Sequence, residues 1–157
     1  MQRKSFHGNI CPVARSLDSI GEWWSLLIVR DAMVGVRRFN DFQRRLGLAR
    51  NVLSARLKKL VANGILEQVP ATDGTSYQEY VLTEKGNALL PTLIALRQWG
   101  EQYLFSEAEP RNTLVDKKHK KPLRKMQVYN ADGETCTTSD LTLIVGSRQE
   151  EVEEKSA

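Results

Sequence analysis

Apolar residues recur at helical spacing along the first hundred positions, and glycines stop the runs. In PVARSLDSI, residues 12–20, Pro12 occupies a first helical position and Val13, Leu17 and Ile20 recur at that spacing, which predicts a short helix ended by Gly21. EWWSLLIVRDAMV is apolar over most of its circumference, interrupted by Arg30 and Asp31, and reads as a helix buried among others and closed by Gly35. RRFNDFQRRLG sets Phe39, Phe42 and Leu46 at i, i+3 and i+7, with Asn40 or Asp41 near its start and Gly47 at its end. After a break at Gly47 and Leu48, helix 49–63 repeats a stripe of Val52 or Leu53, Leu57 and Leu60. Two short helices around a glycine-containing turn describe a helix-turn-helix.

The period then changes. GILEQVP and SYQEYVLT alternate and are β-prone, and the ATDGT between them carries an Asp-Gly turn signal. Helix, helix and hairpin follow in the order of a winged helix, with Thr72, Asp73, Gly74 and Thr75 as the tip of the wing. Thr83 can cap a following helix, which Pro91 would kink or split, and its apolar positions include Leu93, Leu96 and Leu104. Past Phe105 the composition turns charged and poor in apolar residues, and LRKMQVYNADGETCTTSDLTLIVG then reads as two or three short strands around an Asn-Ala-Asp-Gly turn. The expected organisation is an arm over 1–11, a winged-helix domain over 12–106, a charged linker over 107–122, a small β appendage over 123–146 and an acidic, frayed tail over 147–157.

Charge sharpens this picture because it is segregated. Residues 1–63 hold 12 Lys/Arg against 4 Asp/Glu, whereas the remainder is net negative, although the whole chain of 157 residues is only +4. A polyanionic partner for the first half follows. With Leu53, Leu57 and Leu60 facing inward, Arg50, Asn51, Ser54, Ala55 and Lys58 fall on the outer face of helix 49–63. Asn51 to Lys58 spans about 10 Å at roughly 1.5 Å per residue, the length of about three base-pair steps. Arg and Asn can pair bidentately with guanine and adenine, Ser is permissive, and Ala55 is small enough for close approach in a groove roughly 12 Å wide. Arg37, Arg38, Arg44, Arg45, Arg56 and Lys59 would grip backbone phosphate and set register. A solvated outer face is the alternative for any one basic helix; helix, turn, basic helix and hairpin together favour double-stranded DNA.

Other chemistries find little support. No apolar run approaches the roughly 20 residues of a membrane helix, and MQRKSFHGNICPVARS lacks the apolar stretch of a signal peptide, so a cytoplasmic protein without membrane contact is expected. Cys11 and Cys136 cannot make a disulfide framework, and His7 and His119 supply no metal spacing. No cofactor is implied. The carboxylates are scattered, with no Ser/His/Asp set or glycine-rich phosphate loop, which argues against an enzyme. A sensor module without sequence-specific DNA binding, or a winged helix that binds RNA, is the competing reading.

CPVARSLDSIGEWWSLLIVRDAMVGVRRFNDFQRRL, NVLSARLKKLVANGIL, YVLTEKGNALLPTL and LRQWG, in that order over about residues 10–105, resemble the HxlR-type winged-helix regulators, a bacterial group related to the MarR type. The resemblance implies an α+β, mainly α chain that forms a homodimeric transcription regulator on a pseudo-palindromic operator. Leu17, Ile20, Leu93, Leu96, Trp99, Tyr103 and Leu104 would then supply the two-fold interface; for Trp99 and Tyr103 the alternative is ordinary intramolecular core. The resemblance also suggests oxidant sensing at Cys11, whose thiolate a helix N-terminus, Arg15, Lys4 and His7 would favour, but packing at the dimer interface is the preferred role.

Three positions depart from the family pattern. Glu22-Trp23 stands where Gly-Lys is usual, removing a basic phosphate contact, and Ala49 stands where a Ser or Thr cap is usual, at a cost of about 1 kcal/mol. The wing lacks the Arg or Lys that many wings insert into the minor groove. In the tail, seven basic residues between Arg111 and Lys125 face a single acid, Asp116. A solvated linker is the preferred reading there, and added phosphate contacts are the alternative.

Overall fold

The computed structural model describes residues 5–6 and 8–144, so Lys4, His7 and the acidic tail over 147–157 lie outside the described residues, as do parts of the arm and the last positions of the appendage. The chain divides into two units, 1–106 and 107–157.

In the first unit each predicted helix forms. Helix α1 covers Pro12–Ile20, with Pro12 in the first turn, where its missing N–H costs nothing. Helix α2 covers Trp23–Met33, and beyond it Gly35 adopts φ +95°, a left-handed conformation in which glycine has no Cβ to clash. Helix α3 covers Phe39–Leu46 and ends on left-handed Gly47, whose N–H donates to the Gln43 carbonyl at 2.9 Å. Asn40 and Asp41 sit inside its first turn, with Arg38 at the cap position. Helix α4 covers Arg50–Ala62 and starts at Ala49 without a side-chain cap.

Leu53, Leu57 and Leu60 are fully buried and meet Phe42 of α3 and Ile28 and Val29 of α2 in one core, completed by Ile65 and Leu66. Burying one such side chain contributes about 1.5–3 kcal/mol, so this stripe fixes which face α4 turns outward. Asp31 does more than interrupt an apolar run: it is buried, accepting from Arg30 Nε at 3.0 Å and Arg45 Nε at 3.3 Å. Its carboxylate joins α2 to α3 inside the domain.

Strands β1 (Leu66–Pro70) and β2 (Gln78–Leu82) pair antiparallel, from Leu66 opposite Leu82 to Pro70 opposite Gln78. The Tyr80 amide donates to the Arg37 carbonyl at 2.8 Å, tying the hairpin to the segment before α3. Thr83 caps helix α5 (Glu84–Asn87), accepting from the Gly86 amide at 3.1 Å. Of the two outcomes expected at Pro91, the split occurs: Ala88 and Leu89 separate α5 from helix α6 (Leu90–Tyr103), with Pro91 in its first turn. At Gly86 a Cβ would lie 2.2 Å from the Ile65 carbonyl oxygen, so only glycine fits where α5 crosses the base of the hairpin.

The second unit corrects an expectation. Among its described residues there is no strand, only single bridges between Val115 and Pro122 and between Tyr129 and Thr135, and a 3₁₀ turn at Thr138–Asp140. The Asn130–Gly133 turn forms, with Gly133 at φ +83°. None of its described residues is buried, so the alternating pattern has no core to face.

Candidate nucleic-acid interface

The outer face of α4 follows from the inner one. Arg50, Asn51, Ala55 and Lys58 are exposed and Ser54 is half-buried, the arrangement expected opposite Leu53, Leu57 and Leu60. The Arg50 guanidinium lies 5.2 Å from the centre of the Phe39 ring, a cation–π contact that leans it towards α3. Among the described residues no carboxylate pairs with Arg50, Lys58 or Lys59.

The remaining cations of the predicted phosphate grip are each paired with a carboxylate of the same chain. Arg37 lies 3.7 Å from Glu79, and Arg38 reaches both Glu79 at 3.4 Å and Asp73 at 2.5 Å. Arg44 pairs with Asp41 one turn earlier, and Arg45 with buried Asp31. Arg56 lies 3.3 Å from Glu22, in the segment that departs from the family pattern. The carboxylate of Glu22 therefore pairs with a cation of α4. Its neighbour Trp23 stands exposed, its ring 5.8 Å from that of Trp24.

Thr72, Asp73, Gly74 and Thr75 form the exposed wing tip, with Gly74 at φ +75°. Asp73 accepts from the Thr75 hydroxyl at 2.7 Å, from the Thr75 amide at 3.2 Å and from Arg38. These bonds hold its carboxyl at about 2, the Thr75 hydroxyl being the largest cause and Arg38 the next. Arg38 is correspondingly held above its ordinary value by Asp73. The wing tip is thus acidic and is fastened back to the residue that caps α3.

Sequence reasoning missed Asp31, Glu22, Asp41 and Glu79 as partners of the arginines. The i, i+3 spacing of Asp41 and Arg44 was a readable signal. Glu79, buried on β2, and Asp31 carried none beyond standing in apolar surroundings. For the predicted dimer surface, Leu17, Leu96, Trp99, Tyr103 and Leu104 are exposed, and the Trp99 and Tyr103 rings meet tilted at 46° with their centroids 5.8 Å apart. Intramolecular core is therefore the wrong reading for those two aromatics. Ile20 requires the opposite correction: it is buried in the core because the last turn of α1 points inward, and Leu93 packs half-buried against the same core. Cys11 is exposed at the cap position of α1, and its amide donates to Asn9 Oδ1 at 2.8 Å. Among the described residues both cysteines are free, no cluster of three or more His, Cys, Asp or Glu could hold a metal, and no helix is long and apolar enough to cross a membrane.

A trihelical core, a basic-faced second helix of a helix-turn-helix and a β-hairpin behind it define a winged helix-turn-helix protein. The chain belongs to the HxlR-like helix-turn-helix family, whose profile matches residues 19–108. It is 46% identical over 92 residues to the HTH-type transcriptional regulator Rv3095 of Mycobacterium tuberculosis, a match covering 59% of this chain and 58% of that protein. It therefore spans less than two thirds of that relative's length. The crystal structure of PA1607, described as a candidate transcription factor, is 48% identical and superposes with a TM-score of 0.85 over 90% of this chain and 99% of its own. The redox regulator HypR in its reduced form is 32% identical, with a TM-score of 0.54 over 59% of this chain and 92% of its own.

Proposed function

We propose that this chain is a dimeric, sequence-specific DNA-binding transcription regulator that reads a pseudo-palindromic operator with α4 in the major groove. The observation that carries this is the two-sided α4: a fully buried leucine stripe opposite exposed Asn51, Ala55 and Lys58 with Ser54 between them. The stripe holds the helix rigidly, and the outer face offers donors and acceptors to about three base pairs. Family membership supports the same reading. A homodimer is supported by exposed Leu17 on α1 and by exposed Leu96, Trp99, Tyr103 and Leu104 along and just after α6, large apolar side chains of the kind a second subunit covers. Two-fold symmetry then sets half-sites about one helical turn, roughly 34 Å, apart. A cytoplasmic location follows from action on DNA, and no catalytic role is assigned.

Cys11 lies at the edge of this apolar surface in sequence and is proposed to pack there. A response to oxidants is the second reading, favoured by the exposure of the thiol at a helix N-terminus and by the likeness to the redox regulator HypR.

The test is binding of the purified chain to its own upstream DNA and to a scrambled duplex across a salt series, with and without diamide. The expected preference is about a thousandfold, with affinity falling steeply as salt rises. Equal binding to both duplexes overturns sequence-specific reading and leaves a sensor module. A diamide effect that disappears in Cys11→Ser establishes the oxidant response, and the same effect in that variant removes it.

A further inference from the structure

Residues 107–144 contain no buried residue, yet one stretch is built with care. Val115 and Pro122 form an antiparallel bridge, and between them the chain closes on a single acid. The Asp116 carboxylate accepts from the His119 amide at 2.5 Å and the Lys121 amide at 3.1 Å, and lies 3.3 Å from His119 Nδ1. The Asp116 amide in turn donates to the Lys121 carbonyl at 3.0 Å, and the Lys120 amide donates to the Asp116 carbonyl at 3.1 Å. Lys120 is held at φ +56°, which costs a non-glycine residue on the order of 1 kcal/mol.

Because the only acid of the loop is turned inward to backbone amides, the charges of Lys117, Lys118, Lys120 and Lys121 are left on the outside. All four are exposed, and among the described residues none pairs with a carboxylate. The contrast with Arg37, Arg38, Arg44, Arg45 and Arg56, each beside an acid, is direct. A solvated linker needs no such closure, whereas a loop that presents four cations from one turn is suited to a polyanion.

We propose that the Asp116–Lys121 loop is a second DNA-contact element, gripping backbone phosphates outside the half-site read by α4. This rests on the DNA-binding reading above. Set on flanking backbone phosphates, these compact point charges add affinity and no sequence preference. The chain from Leu104 to Lys117 is long enough to extend up to roughly 43 Å at about 3.3 Å per residue, more than one turn of duplex. Tethered to an anchored winged helix, the loop meets flanking phosphate at high effective concentration.

The experiment uses the full chain and a variant carrying Lys117→Gln, Lys118→Gln, Lys120→Gln and Lys121→Gln, against an operator duplex trimmed to its half-sites and the same operator with flanks of about one turn. On the flanked duplex the variant is expected to bind about tenfold or more weakly, with a log affinity against log salt slope shallower by about 0.9 for each phosphate released. On the trimmed duplex the two proteins bind alike, their preference over scrambled DNA is the same, and Lys→Arg at all four positions restores the slope. Matching slopes on the flanked duplex overturn the proposal, as does a defect confined to duplex RNA or anionic vesicles. If the parent chain fails to prefer operator over scrambled DNA, the regulator reading falls, while the slopes of parent and variant on the longer duplex still decide the loop.

Discussion

The cations on the outer face of α4 and those around α3 carry the same formal charge and stand in different electrostatic states. Lys58 and Lys59 have no carboxylate beside them among the described residues, whereas Arg37, Arg38, Arg44 and Arg45 each have one within 4 Å. A free lysine gives its whole charge to a phosphate. A paired arginine must share its fork or break an existing contact first, so its net gain on binding is smaller. The excess of basic residues in the first 63 positions therefore overstates what DNA can use.

The heaviest blow to this contrast would come at the reading face. Replacing Asn51, Ser54 and Lys58 together with Ala is expected to cut the preference for operator over scrambled duplex by about a hundredfold or more, at about 1–3 kcal/mol for each good base contact. Stability should shift by less than about 0.5 kcal/mol, since all three lie away from the core. Anisotropy titrations paired with urea melts check both, and a preference that survives moves the reading surface off α4.

Asp31→Ala tests the paired side from within. Removing a buried acceptor for two arginines is expected to lower unfolding stability by about 2 kcal/mol, below the roughly 3–5 kcal/mol of a fully buried pair because both guanidinium groups reach water. An unchanged urea midpoint would show that the carboxylate holds nothing. A smaller and more direct comparison sets Lys59→Gln, at an unpaired cation assigned to backbone phosphate, against Arg44→Gln. The salt slope should fall by about 0.9 in the first and by distinctly less in the second. Equal slopes would erase the distinction between free and paired cations.

The gentlest probe is the wing. Asp73→Asn leaves Arg38 with Glu79 as its one remaining carboxylate and should raise affinity for any duplex a few-fold at low salt. The sign of its pH dependence is fixed, because the carboxyl sits at about 2 in the folded chain against an ordinary 3.8. Its stabilising contribution is present above about 4 and lost as pH falls towards 2. The difference in thermal midpoint between parent and Asp73→Asn should thus be flat from pH 5 to 8 and shrink in acid.

Periodicity made the helical frame readable. Leu53, Leu57 and Leu60 announced their burial because a 3.6-residue repeat has only one face to hide, and Gly47 and Thr83 marked their helix ends by chemistry that few other residues supply. The candidate site was legible only as far as residues on one helix. The partners of Arg38 lie 35 and 41 positions away, a distance at which no local pattern speaks. Ile20 was misassigned to the surface because an amphipathic helix of nine residues does not say whether its apolar side meets the same chain or another. The appendage looked strand-like from alternation, but β-propensity expresses a fit to neighbouring strands, and among the described residues there is none to pair with.

Gly86 gives the wing a mechanical meaning. With the Ile65 carbonyl filling the place where a side chain would begin, α5 and the foot of the hairpin touch backbone to backbone, leaving no compressible layer between them. Thr83 rivets the same joint, its hydroxyl donating to the Gly64 carbonyl at 2.6 Å. A hinge is thereby excluded where a flexible regulator would most simply have placed one. Torque applied to α5 is transmitted to the hairpin as it would be through a welded bracket.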